Sequence, residues 1–93
     1  MPNNLHVSYD LAGPDRDYTA VIDRIKELGQ WAKIEFSFFY VNSQLGASDA
    51  RDHVWKAMRT GDKLYVVDAT NNNAAWIGLP AEVTALIQAE WNV

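Results

Sequence analysis

From Leu5 to Leu11 apolar and polar residues alternate without a break, with Leu5, Val7, Tyr9 and Leu11 on one side and His6, Ser8 and Asp10 on the other. A period of two is the mark of a strand with one buried face, and it leaves Asp10 exposed at that strand's end. Ala12-Gly13-Pro14-Asp15 breaks the pattern, because Pro14 lacks an N–H and Gly13 admits a backbone angle that other residues avoid. A helix is expected to begin at Asp15 or Asp17. Along it Tyr18, Val21, Ile22, Ile25 and Leu28 recur at three and four residues, with Asp23, Arg24, Lys26 and Glu27 opposite. Gly29 is placed to end it as a C′ residue in the left-handed conformation.

Ile34 to Val41 is aromatic and β-branched, and alternation groups Ile34, Phe36, Phe38 and Tyr40 against Phe39 and Val41. Both sides turn apolar in its second half. One long strand buried on both faces fits, as do two strands meeting at a kink near Ser37, which is the preferred reading. Ser48 then predicts an N-cap, with Val54, Trp55 and Met58 as the stripe of a second helix ending near Gly61. Lys63 to Ala69 predicts another strand, closed by a Thr70-Asn71-Asn72-Asn73 turn. Ala74 to Gly78 predicts a short returning strand. Pro80 suits the first position of a terminal helix striped by Val83, Leu86, Ile87 and Trp91.

This order predicts one α+β domain over residues 1–93, a ferredoxin-like split βαβ sandwich. Its antiparallel-type sheet carries helices on one face and leaves the other for a partner, with a short strand and a helix added at the C-terminus. Ninety-three residues with no Pro/Gly/Ser-rich linker argue against a second domain. A chain of this size buries only about two-thirds of its unfolded surface, so self-association as a homodimer is expected. Neither a leader nor a long apolar run is visible, so a cytoplasmic protein without membrane contact is expected. The absence of cysteine excludes disulfides and thiol chemistry. A net charge of −4, with eight scattered basic residues, disfavours general nucleic-acid binding. Arg51, Lys56 and Arg59 are the basic residues most able to gather along one helix.

No phosphate loop, dinucleotide fingerprint, zinc-helix motif or serine elbow is present. What remains is Asp10, with His6 and Ser8 on the same strand side, and Asp68. An exposed strand-end carboxylate offers hard oxygen to Mg²⁺, which would activate water at a phosphate. Capping the turn that follows is the competing role for Asp10, and the favoured one for Asp68. His6 fits a hydrogen-bonded structural histidine better than a proton carrier, and His53 a surface position. Among the tryptophans, Trp55 and Trp91 lie on helical stripes, whereas Trp31 and Trp76 sit at element boundaries and are the candidate interface residues.

Val7-Ser8-Tyr9-Asp10-Leu11, an amphipathic helix, and then Glu35-Phe36-Ser37-Phe38-Phe39 resemble the small CRISPR adaptation subunit called Cas-two, and Asp62-Lys63-Leu64-Tyr65-Val66-Val67 fits its later strand. Tyr9-Asp10-Leu11, Trp31-Ala32-Lys33, Asp62-Lys63-Leu64 and Ala74-Ala75-Trp76 are similar to the SinR-like relatives of that subunit, with the VapD toxins more distant. The resemblance covers most of residues 5–78. It implies a ferredoxin-like homodimer with facing sheets, in which Asp10 from each copy lies near the two-fold axis and the pair holds Mg²⁺ for cleavage of RNA or DNA. Ser37 and Phe38 match positions neighbouring that aspartate. The arginines that commonly follow it in the family are replaced by Ala12-Gly13-Pro14-Asp15. The alternative expectation is a non-catalytic module that binds another protein, of phage or mobile-element origin.

Overall fold

Leu5 and Val7 lose all solvent exposure and Tyr9 keeps 3% of it, which marks the first strand as the centre of the sheet. The computed structural model describes residues 2–14, 16–70, 72 and 74–91. Along the chain come β1 (Asn3–Asp10), α1 (Thr19–Lys26), β2 (Gly29–Glu35), β3 (Phe38–Ser43), α2 (Ala47–Trp55), β4 (Lys63–Asp68) and α3 (Ala81–Glu90). β1 pairs antiparallel with β3 on one side and β4 on the other, and β3 pairs antiparallel with β2, in the order β2-β3-β1-β4. β1 and β2 therefore run parallel with β3 inserted between them, and β3 and β4 run parallel around β1. This is the split βαβ order of a ferredoxin-like sheet. The kink expected near Ser37 is a full reversal: Phe36 and Ser37 form the β2–β3 turn, beside a register shift between Lys33 and Glu35.

The first sheet face carries Leu5, Val7, Tyr9, Phe39 and Val41, packed with Val21 and Ile25 of α1 and Ala50 and Val54 of α2. Each apolar side chain this cluster removes from water stabilises the fold at about 25 cal/mol per Å² buried. Its helices start and stop differently from expectation. α1 begins at Thr19, whose N–H donates to Asp17 Oδ1 at 2.9 Å; Asp15 lies outside the described residues. α2 begins after Gly46 without a side-chain cap, so Ser48 lies within its first turn. Trp55 is 39% exposed, since only Ala50 and Val54 of α2 reach full burial. Gly29 is the first residue of β2 rather than a left-handed helix terminator. Its glycine identity follows from close approach, because a Cβ there would stand 1.8 Å from the Asn42 carbonyl oxygen.

The second face carries Asn4, His6, Ser8 and Asp10 of β1, with Phe38, Tyr40 and Asn42 of β3 and Lys63, Tyr65 and Val67 of β4 opposite them in register. It is half free rather than wholly free. α3 crosses to this side and buries Ile87 against Ala32 and Tyr40, with Val83, Leu86, Trp76 and Trp91 packed around them. The predicted stripe of α3 is thus its packing face. Residues 74–78 form no strand; they run irregularly to Gly78, whose φ of +83° turns the chain towards Pro80, the N-cap of α3. Of this segment only Trp76 packs against the second-face cluster, while Ala74, Ala75 and Ile77 stay exposed.

Candidate functional site

Asp10 ends β1 on the second face, exposed, with Lys63 as its cross-strand partner on β4. Ser8, Lys63, Leu64 and Tyr65 surround it. Its carboxylate makes no hydrogen bond or ion pair among the described residues. The turn after it is held by a different acid. Asp62 Oδ1 accepts from the Ala12 N–H at 2.8 Å and Oδ2 from the Arg59 N–H at 2.9 Å. Arg16 grips the same carboxylate with both guanidinium ends, Nη1 on Oδ1 and Nη2 on Oδ2 at 2.8 Å, while Nη1 also donates to the Ala12 carbonyl at 2.9 Å. The Arg16 bond, with the backbone donors of Ala12 and Arg59 behind it, outweighs burial and holds the Asp62 carboxyl well below the usual carboxylate range. Nothing local in the sequence marks this hub, because Arg16 and Asp62 are 46 residues apart.

Ser37 lies beside this strand end through its main chain: its carbonyl accepts from the Tyr9 N–H at 3.2 Å, and the Tyr9 hydroxyl donates to the Phe36 carbonyl at 3.3 Å. Phe38 faces Ser8 across the β1–β3 pair. Asp10, Ser37 and Phe38 are therefore gathered around one end of the sheet. Among the described residues no group of three or more His, Asp or Glu side chains is arranged to hold a metal ion.

Trp31 and Trp76 are not brought together. Trp31 stands on the edge strand β2, 36% exposed, with its ring against Phe39 and the Lys26 ammonium 4.5 Å from its centroid. Trp76 packs on the opposite face with the α3 cluster and donates Nε1–H to Thr84 Oγ1 at 3.1 Å. Asp68 takes the turn role: its Oδ1 accepts from the Thr70 N–H at 3.0 Å and from the Thr70 hydroxyl at 2.5 Å. His53 Nε2 lies 2.7 Å from Glu27 Oε1 and ties α2 to α1. Arg51 is paired with its neighbour Asp52 at 2.9 Å, and α2 ends at Trp55, before Lys56 and Arg59, so the three do not gather as a basic stripe on α2.

His6 is ringed by aromatics, meeting Phe38, Tyr40 and Trp91 edge-on at centroid distances of 5.7, 6.2 and 5.8 Å. Burial pushes its imidazole below its ordinary value. Tyr40 Oη lies 3.0 Å from both Asn4 Oδ1 and the Glu90 carbonyl, and the Asn42 amide donates to the same carbonyl at 2.8 Å. Burial first, and the Glu90 charge second, push the Tyr40 phenol up to about 12. These bonds latch the C-terminal end of α3 to β3, and alternation alone could not have found them because Glu90 lies 50 residues from Tyr40 and 48 from Asn42.

The rest of the second face is open. His6, Ser8, Glu35, Phe38, Tyr65 and Val67 line a shallow depression there, with Tyr65 69% exposed at its edge. Among the described residues no helix is long and apolar enough to cross a membrane. No protein-family model, curated protein or solved structure matches this chain.

Proposed function

We propose that the chain is a binding module whose working surface is the open half of the second sheet face, and that it pairs there with a second copy of itself. The carrying observation is Tyr65, a large aromatic 69% exposed beside Val67 and Phe38 on a sheet face that α3 only half covers. Exposed apolar area on a small domain favours association. β4 is also an edge strand with one unpaired side. The resemblance to Cas-two and the SinR-like proteins supports a homodimer with facing sheets. The net charge of −4 and the lack of a basic stripe on α2 make protein the better-fitting partner than nucleic acid. Sedimentation equilibrium tests this: the wild type is expected as a dimer, and Tyr65→Asp as a folded monomer. A monomeric wild type at high concentration sinks the reading.

Asp10 favours a second reading, Mg²⁺-dependent phosphodiester cleavage by the dimer. Its carboxylate is uncommitted and lies on the same face, so a two-fold axis through that face would bring two copies of it towards each other. The pair would supply hard oxygen ligands to one Mg²⁺, which when bound acidifies a water and neutralises charge at phosphate. Purified protein and Asp10→Ala are compared on RNA and DNA with Mg²⁺. Cleavage by wild type alone supports the reading, and equal cleavage by both removes it.

A further inference from the structure

Between the second sheet face and the α3 cluster lies a cavity of about 110 Å³, walled by His6, Phe38, Tyr40, Trp76, Ile87 and Trp91 among others. An apolar cavity of about 150 Å³ is large enough to take up benzene, so this space fits one ring and little more. Among the described residues no Lys, Arg, Asp or Glu side chain lines it. A charged ligand would therefore be desolvated without a partner, whereas an aromatic ring meets aromatic walls at favourable edge and offset geometries. The polar groups on the wall are almost all committed. Trp76 Nε1–H is taken by Thr84, Trp91 Nε1–H by the Asn72 carbonyl at 2.9 Å, and the Tyr40 hydroxyl by Asn4 and Glu90. His6 is the exception, since its ring nitrogens make no hydrogen bond among the described residues. It also lines the neighbouring depression, so it stands where the cavity meets the open half of the face.

We propose that this cavity binds a single neutral aromatic ring bearing one hydroxyl, a ligand of the phenol class, with the ring among Tyr40, Trp76 and Trp91 and the hydroxyl on His6. An imidazole kept neutral by its surroundings offers one donor and one acceptor, which suits a hydroxyl and not a carboxylate. This site does not depend on the dimer or on Asp10.

The test titrates p-cresol and toluene into the full chain and follows the imidazole resonances of His6 and of His53, the only other histidine. Saturable movement of His6 but not His53 is expected, with p-cresol bound about three- to tenfold more tightly than toluene, the fold-change of one net hydrogen bond. His6→Leu is expected to abolish that preference while keeping toluene binding, and Ala75→Leu, which fills the cavity, to abolish both. Parallel movement of the two histidines, absence of saturation, or equal affinity for the two ligands in wild type overturns the proposal. So does tighter binding of tetramethylammonium than of p-cresol. The wild-type titration decides the matter if a variant fails to fold.

Discussion

Asp62 is the acid on which the end of the first strand depends, with the N–H groups of Ala12 and Arg59 and both ends of the Arg16 guanidinium on one carboxylate. Its side chain has no solvent exposure, so losing a partner leaves polar atoms that water does not reach. Because its folded-state value is depressed, the unfolded chain binds the proton more readily. The stability it contributes is therefore complete above the ordinary carboxylate value of about 3.9 and is lost as pH falls below it. Asp62→Asn keeps the shape but replaces one accepting oxygen with a donor facing Arg16 or a backbone N–H. Urea unfolding is expected to show a clear loss of stability for this variant at pH 7. The gap from wild type should narrow steadily between pH 4 and pH 2; a gap independent of pH would refute the charge-based account. Asp10, which carries the catalytic reading, is expected to leave stability unchanged when replaced by Ala, because no group among the described residues binds its carboxylate.

The two helical layers differ in how firmly they are held. α1 and α2 share a cluster of eleven buried residues with the sheet, whereas α3 is secured by a cluster of three and by the Tyr40–Asn42–Glu90 bonds. Local opening follows buried contact. Amide hydrogen exchange is expected to show α3 exchanging well before β1 and α1, and Tyr40→Phe to speed α3 selectively. Uniform protection across all three helices would contradict this. At the β2 end, Gly29→Ala drives a Cβ into the Asn42 carbonyl, and a loss of more than about 1 kcal/mol is expected by urea melt. Gly46→Ala is the control: its φ of −80° is open to any residue and a Cβ there meets nothing within 4 Å, so a change within about 1 kcal/mol of zero is expected.

For the whole molecule, the sheet has one face packed by α1 and α2 and one half-covered face, and the open half carries Tyr65, Val67, Phe38 and Asp10. If a second copy occupies it, association and folding are linked, and the thermal midpoint of the wild type rises with protein concentration. That rise is expected across a hundredfold concentration range and is expected to vanish in Tyr65→Asp. A midpoint that stays constant in the wild type would count against the dimer. The phenol-class cavity shares His6 and Phe38 with this surface, so its occupancy is measured in Tyr65→Asp as well as in the wild type.

Alternation from Leu5 to Leu11 and the three- and four-residue spacing of Val21, Ile25 and Leu28 were enough to identify β1 and α1 and the sides they bury, because these patterns depend only on backbone geometry and on water's exclusion of apolar surface. The ferredoxin-like order follows from the same local signals, and the stripe of Val83, Leu86, Ile87 and Trp91 was equally legible. Which side of the sheet α3 would take was not. Both faces offered apolar positions, and the choice rests on Tyr40, Asn42 and Glu90 meeting across about fifty residues of chain. The short strand expected at Ala74 to Gly78 is absent, and of that segment only Trp76 packs against the second-face cluster. The exposed end of β1 was visible from the alternation that placed Asp10 there. That Asp10 stays uncommitted while Asp62 holds the turn was decided only when folding brought Arg16 and Ala12 onto a carboxylate 46 and 50 residues away, beside its near neighbour Arg59.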